Sequence, residues 1–338
     1  MFGGFWATVL LLDAPCPSKL SFGIASSLLV TIGVWDDYSP LRAWIRFIVQ
    51  CVAALLIIMG GGVIIENIGN ILGFGEIVLG RWLAIPLTVI AIVGVINAIN
   101  MIDGLDGLAG SLVLLLLLCL LALTSSIDLT SDHPILLILL AVVSSFLVFN
   151  FPFTARKQAK LFMGDSGSTF LGLTVAWFLI LLSQKPYNAI APVKALWLFT
   201  IPLFDTFALL LRRMSLGSSP FEAGRDHLHH ILLLMGYSSR QALGIIIVFA
   251  SLFCLVILLG KYIYLPPALL FYGFMALFAG YCYVTSSLWL EFNHNDRRGP
   301  YKFMHSLYLL QPESSGHFGK LSRTGERVAA ADRAAGHQ

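Results

Sequence analysis

Four short stretches hold most of the chemistry-bearing side chains of this 338-residue sequence. VWDDYSPLRAWIR sets Asp36 beside Asp37, with Arg42 and Arg46 following. Neighbouring carboxylates repel, so burial of either raises a pKa unless a cation lies close. On a helix they point about 100° apart, so one can face a site while the other pairs with an arginine. NAINMIDGLDGLAGS spaces Asn97, Asn100, Asp103 and Asp106 by three. On a straight helix that row turns by about 60° per step, so the four cannot share one face. Gly104 and Gly107 predict a break there, where backbone can approach a ligand. FMGDSGSTFLG places Asp165, Ser166 and Ser168 at a predicted helix start. Helix N-termini attract phosphate, and an aspartate there can hold Mg²⁺ to that phosphate. RRMSLGSSPFEAGRDHLHHILL collects Arg225, Asp226, His227, His229 and His230. A helix through this stretch would put Asp226, His227 and His230 on one face.

Each stretch has an ordinary reading as helix caps, turns or loop solubility. That reading explains one residue at a time and not the set. A closed zinc site wants four ligands, commonly including Cys, and no Cys lies near the histidines; binding of phosphate or sugar hydroxyls is the better expectation. Asp205, inside LWLFTIPLFDTFALLLRR, is a functional candidate because ionisable residues in membrane helices are costly. Pairing with Arg212 or Arg213 is its plain alternative.

The elements that carry these stretches are apolar. Residues of the set AVILMFWYC make up 58% and charged residues 12%, against roughly 45–50% and 25% in soluble domains. Mean hydropathy is +0.85. A soluble domain and extended disorder are both excluded. Apolar runs fall near 1–12, 20–35, 43–59, 82–99, 108–124, 135–151, 169–183, 193–211, 241–260 and 267–290. None alternates with period two, which rejects a β-barrel. The expectation is an all-α, polytopic integral membrane helical bundle of about ten transmembrane helices, spanning 1–290, followed by a cytoplasmic, largely disordered tail, 291–338.

Sixteen of the 21 basic residues fall in one set of flanking segments, nine in loops and seven in the tail. The positive-inside rule assigns this set to the cytoplasm. All four motifs belong to it, so the site is expected on the cytoplasmic face. The net charge of +3 gives no reason to expect nucleic acid. The five cysteines are scattered and form no CxxC pair. Met1 leads straight into an apolar run without a basic segment, unlike a cleavable signal peptide.

Together, and in this order, VWDDYSPL, NAINMIDGLDGLAGS, FMGDSGSTFLG and DHLHH resemble the polyprenyl-phosphate N-acetylhexosamine-1-phosphate transferase family, over about residues 1–290. SPFEAGRDHLHHILLLMGYSSRQA is most similar to the bacterial WecA-type branch, and the HHH run of the peptidoglycan branch is absent. The resemblance implies transfer of GlcNAc-1-phosphate from UDP-GlcNAc to undecaprenyl phosphate, with release of UMP, as the first membrane step of O-antigen or related cell-envelope glycans. Another UDP-HexNAc, or UDP-MurNAc-pentapeptide, is the alternative within the same chemistry. It further implies a multi-pass protein of the bacterial inner membrane. Mg²⁺, or Mn²⁺ in its place, is implied at Asp165 with Asn100 as second ligand. Catalytic roles are implied for Asp36, Asp37 and Asp165. Substrate binding is implied for Asn97, Asn100, Asp103, Asp106, Arg225, His227, His229 and His230, with Asp106 reading uracil. Whether Asp36 or Asp37 orients the attacking phosphate, and whether the enzyme is a homodimer, are left open.

Two departures from the family stand out. Members carry a further helix and a basic loop ahead of the point where this chain starts, and a basic residue where Trp44 stands. The expectation is weaker use of undecaprenyl phosphate than by an upstream-extended form. A rival class, an ion-coupled transporter, would place ionisable residues near mid-membrane, whereas here they collect at one face.

Overall fold

The computed structural model describes residues 1–12, 19–125, 133–152, 159–215, 217 and 226–292. The described unit ends at Phe292; Arg225 and the tail lie outside the described residues. Twelve helices appear among those residues: α1 Phe2–Leu11, α2 Lys19–Tyr38, α3 Ala43–Gly61, α4 Arg81–Ile102, α5 Leu108–Thr124, α6 His133–Asn150, α7 Gly164–Ser183, α8 Pro192–Leu198, α9 Thr200–Ser215, α10 Leu228–Leu234, α11 Ser239–Leu259 and α12 Pro267–Phe292. In lipid each backbone N–H and C=O must be satisfied internally, so long apolar runs become helices. Seven helices are long and apolar enough to cross a bilayer, or eight if α8 and α9, bent by 80°, form one span. The two shorter apolar helices, α1 and α5, account for the other two runs. The protein is a multi-pass membrane protein.

The bundle is organised around α7. Every residue of α7 from Ser168 to Ser183 is buried, and α2 and α4 pack along it. α2 comes unusually close. A Cβ added at Gly33 would lie 2.5 Å from Ser166 Cα, inside any allowed carbon contact. Gly33 therefore sets how near the end of α2, with Asp36 and Asp37, can approach the start of α7, with Asp165. At the opposite end, Gln184 after α7 accepts from the N–H groups of Glu66 and Asn67 and donates to the Asn67 carbonyl. That loop is tied down far from the motifs. α11 and α12 turn Val248, Phe249, Leu252, Leu269 and Tyr272 outward, as a lipid-facing surface would.

Candidate active site

Asp36 and Asp37 close α2 and divide their work as adjacent helical residues must. Asp36 is buried, 8% exposed, and accepts from Arg46 Nη1 at 2.7 Å and from the Leu41 N–H. Asp37 accepts from the Asp165 N–H at 2.9 Å and the Ser166 hydroxyl at 3.2 Å. It thus meets the unpaired N–H groups that begin α7, where negative charge is favoured. Asp165 lies between the two. Its Oδ2 accepts from Arg46 Nη1 at 3.2 Å, and its Oδ1 from Asn100 Nδ2 at 2.8 Å. Asn100 also donates to Ser168 Oγ at 2.9 Å. The Asp36 and Asp165 carboxyls share one neighbour, Arg46 Nη1, which lies 2.7 Å from the first and 3.2 Å from the second. Like charges that close require a proton or a cation between them.

The segment after α4 breaks as the glycines foretell. α4 ends at Ile102, Asp103 caps it, and α5 starts at Leu108. The Gly107 N–H donates to Asn150 Oδ1 at 2.8 Å, and Asn150 donates onward to the Leu161 carbonyl. Asp106 accepts from the Ala159 N–H at 3.2 Å. Burial pushes the Asp103 carboxyl up to about 7, with the charges of Asp165 and then Asp106 adding to it.

The histidines flank this segment. A Cβ on Gly104 would fall 2.1 Å from His229 Nε2, so only glycine admits the ring there. His229 is 1% exposed, and neither ring nitrogen has a hydrogen-bond partner among the described residues. Burial, then the neighbouring His230, lowers its pKa to about 4, so the ring is neutral near pH 7. A buried polar side chain left without partners is costly; here a ligand could supply what the protein does not. His227 stacks on His229 at 5.7 Å, and His230 lies 4.1 Å from His229, between ring centres. His227 Nδ1 lies 2.9 Å from Asp205 Oδ2.

Several expectations change in this geometry. α10 starts at Leu228, so Asp226 and His227 precede the helix and share no helical face with His230. The cause is competition. Arg213 holds Asp226 by two bonds, at 2.7 and 3.1 Å, and Arg212 donates to its carbonyl. Burial alone would raise the Asp226 carboxyl; the Arg213 bonds and charge, with Arg212, outweigh it and hold the pKa below the usual value. Asp205 is therefore the partner of His227 and not of the two arginines. Asn97 lies one turn below Asn100 and donates to Gln50 Oε1 at 2.7 Å. Its amide serves the α3–α4 contact. Sequence reasoning missed Asn150 and Tyr281, and gave Arg46 a role as partner of an aspartate or as nearby counter-charge for phosphate, not as the bridge between Asp36 and Asp165. An asparagine closing an apolar run was the only available signal for Asn150.

Setting aside the Arg46 guanidinium, which cannot ligate a cation, Asp165 is neighboured by the Ser168 hydroxyl and by the Asn100 amide, whose oxygen and nitrogen exchange by a 180° flip. Among the described residues no three His, Cys, Asp or Glu converge as a metal cage. Mg²⁺ does not need one, since it keeps waters and substrate phosphates beside one or two carboxylates. Arg46 is 40% exposed and bridges Asp36 and Asp165, offsetting one of their two charges and leaving net negative charge for a second cation. The residues fit a hard divalent ion.

The sequence profile described as "Glycosyl transferase family 4" matches residues 20–183, which include Asp36, Asp37, Asn100, Asp103, Asp106 and Asp165. The undecaprenyl-phosphate alpha-N-acetylglucosaminyl 1-phosphate transferase of Pasteurella multocida (strain Pm70) is 37% identical over 78% of this chain and 73% of its own length. The chain belongs to glycosyl transferase family 4. A relative of the same description occurs in Haemophilus influenzae, at 36% identity over 78% of this chain and 74% of the relative. Escherichia coli (strain K12) has one at 32% over 83% and 77%.

Proposed function

We propose that this chain transfers GlcNAc-1-phosphate from UDP-GlcNAc to undecaprenyl phosphate at the cytoplasmic face of a bacterial inner membrane, with UMP as leaving group. The observation that carries this is the Asp36–Arg46–Asp165–Asn100 cluster at the start of α7, with the Asp103–Asp106 segment and His229 adjoining. The activity named for the relatives points the same way. Both substrates are phosphates, and acids alone repel phosphate, so a cation is needed to invert the sign. Asp165, with Asn100 through its amide oxygen, is the proposed holder of Mg²⁺, which when bound supplies charge neutralisation at the diphosphate. The lipid monophosphate is mostly dianionic at pH 7; its oxygen attacks the sugar-linked phosphorus and the bond to UMP breaks. Asp37, held to the Asp165 N–H and the Ser166 hydroxyl, fixes the start of α7, whose N-terminal N–H groups orient phosphate oxygens. Asp106 reads the base, and His227, His229 and His230 face the diphosphate and sugar.

Purified protein, given UDP-GlcNAc, undecaprenyl phosphate and Mg²⁺, should release UMP. Exchange of UDP-GlcNAc for other UDP-sugars tests the sugar. Asp165→Asn should lose at least about 10³-fold in turnover while its melting temperature holds. Near-normal turnover in that variant would sink the metal assignment.

A further inference from the structure

Asp205 lies in α9 within an apolar stretch and is 5% exposed. Three donors converge on it. His227 Nδ1 lies 2.9 Å from Oδ2, the Leu228 N–H donates to Oδ1 at 2.8 Å, and the Tyr281 hydroxyl donates to Oδ1 at 3.1 Å. Arg212 and Arg213, the nearest arginines in sequence, are engaged with Asp226.

We propose that Asp205 is a positioning residue for the transfer reaction, fixing the orientation and tautomer of His227 so that Nε2 is the nitrogen presented to the sugar diphosphate. The inference rests on His227 facing substrate, as read above. A carboxylate only accepts, so the proton shared with His227 stays on Nδ1. The ring nitrogen opposite is then the one left for a ligand. Stacking on His229 at an interplanar angle of 8° holds the ring plane from its other side. Any proton that Nε2 takes up is balanced by the Asp205 charge, the logic by which an aspartate supports a catalytic histidine. The Leu228 N–H and Tyr281 fix the carboxylate itself, so α10 and α12 both set the angle of the ring.

An amide at position 205 reverses this arrangement. The backbone N–H of Leu228 demands an acceptor where Oδ1 sits. In Asp205→Asn the amide nitrogen must therefore take the Oδ2 place and donate to Nδ1, moving the His227 proton to Nε2. Turnover of Asp205→Asn should fall about 10²-fold, with UMP affinity within about twofold of wild type, because UMP lacks the sugar phosphate. The Asp205→Asn, His227→Ala double variant should be no slower than His227→Ala alone. A purely structural staple predicts otherwise: Asp205→Asn would displace His229 and His230 too, fall below His227→Ala and weaken UMP binding. Full turnover in Asp205→Asn, or losses that multiply in the double variant, would overturn the proposal. The wild-type protein gives a test that needs no activity. The ¹⁵N signal lost in His227→Ala must report a proton on Nδ1, and a proton on Nε2 alone overturns the assignment. If the wild type releases no UMP, the functional reading fails while this tautomer test stands.

Discussion

An acid whose folded pKa lies at about 7, against an ordinary 3.8 for the free side chain, ties stability to pH in a defined direction. The folded state holds the Asp103 proton more tightly than the unfolded chain does, so the contribution favours folding at low pH. It is lost as pH rises from about 4 to 7 and levels off above. Asn cannot ionise. The melting temperature of Asp103→Asn should therefore exceed that of wild type by a margin that widens from pH 4.5 to 7 and then stays flat, measured in EDTA. A margin independent of pH would mean that Asp103 ionises as freely as in water. At this scale the sequence showed which residue types matter and little of whom they touch. Asp36 and Asp37 were separable because adjacent helical positions diverge. The partner of Asp205 was not, since Tyr281 lies 76 residues away and no local pattern encodes such a contact.

Among the elements, the contact between α2 and α7 sets the site. There Gly33 meets the Ser166 backbone, which cannot yield as a side-chain tip can. Gly33→Val should push α2 outward, cost about 1–3 kcal/mol by overpacking and slow turnover at least about tenfold by parting Asp37 from the Asp165 N–H. Gly94→Ala on α4, where an added Cβ meets nothing within 4 Å, is the control and should change neither. Retained turnover in Gly33→Val would show that this approach is not required. The apolar runs predicted the helices because lipid leaves the backbone few other choices, and the break after Asp103 was legible from its glycines. The start of α10 was not. Arg213 and Asp205 pull Asp226 and His227 out of a helix that local spacing alone would have extended.

Across the whole molecule, burial is graded from the centre outward. The hydropathic window of α7 is 83% buried inside the protein, against 33% for α11 and 17% for α12. Asp165, the proposed Mg²⁺ holder, rides on the centre of this gradient, at the start of α7. A span sealed from lipid has no acyl chains to match, so bilayer thickness acts on the outer helices by tilt and not on the inner one. In vesicles of different acyl length, the Mg²⁺ concentration giving half-maximal turnover should stay constant even where the maximal rate changes. A midpoint that drifts with thickness would mean that the inner helix feels the bilayer after all. By the same reasoning, a bacterium that remodels its lipids with temperature would leave the phosphate-transfer geometry untouched.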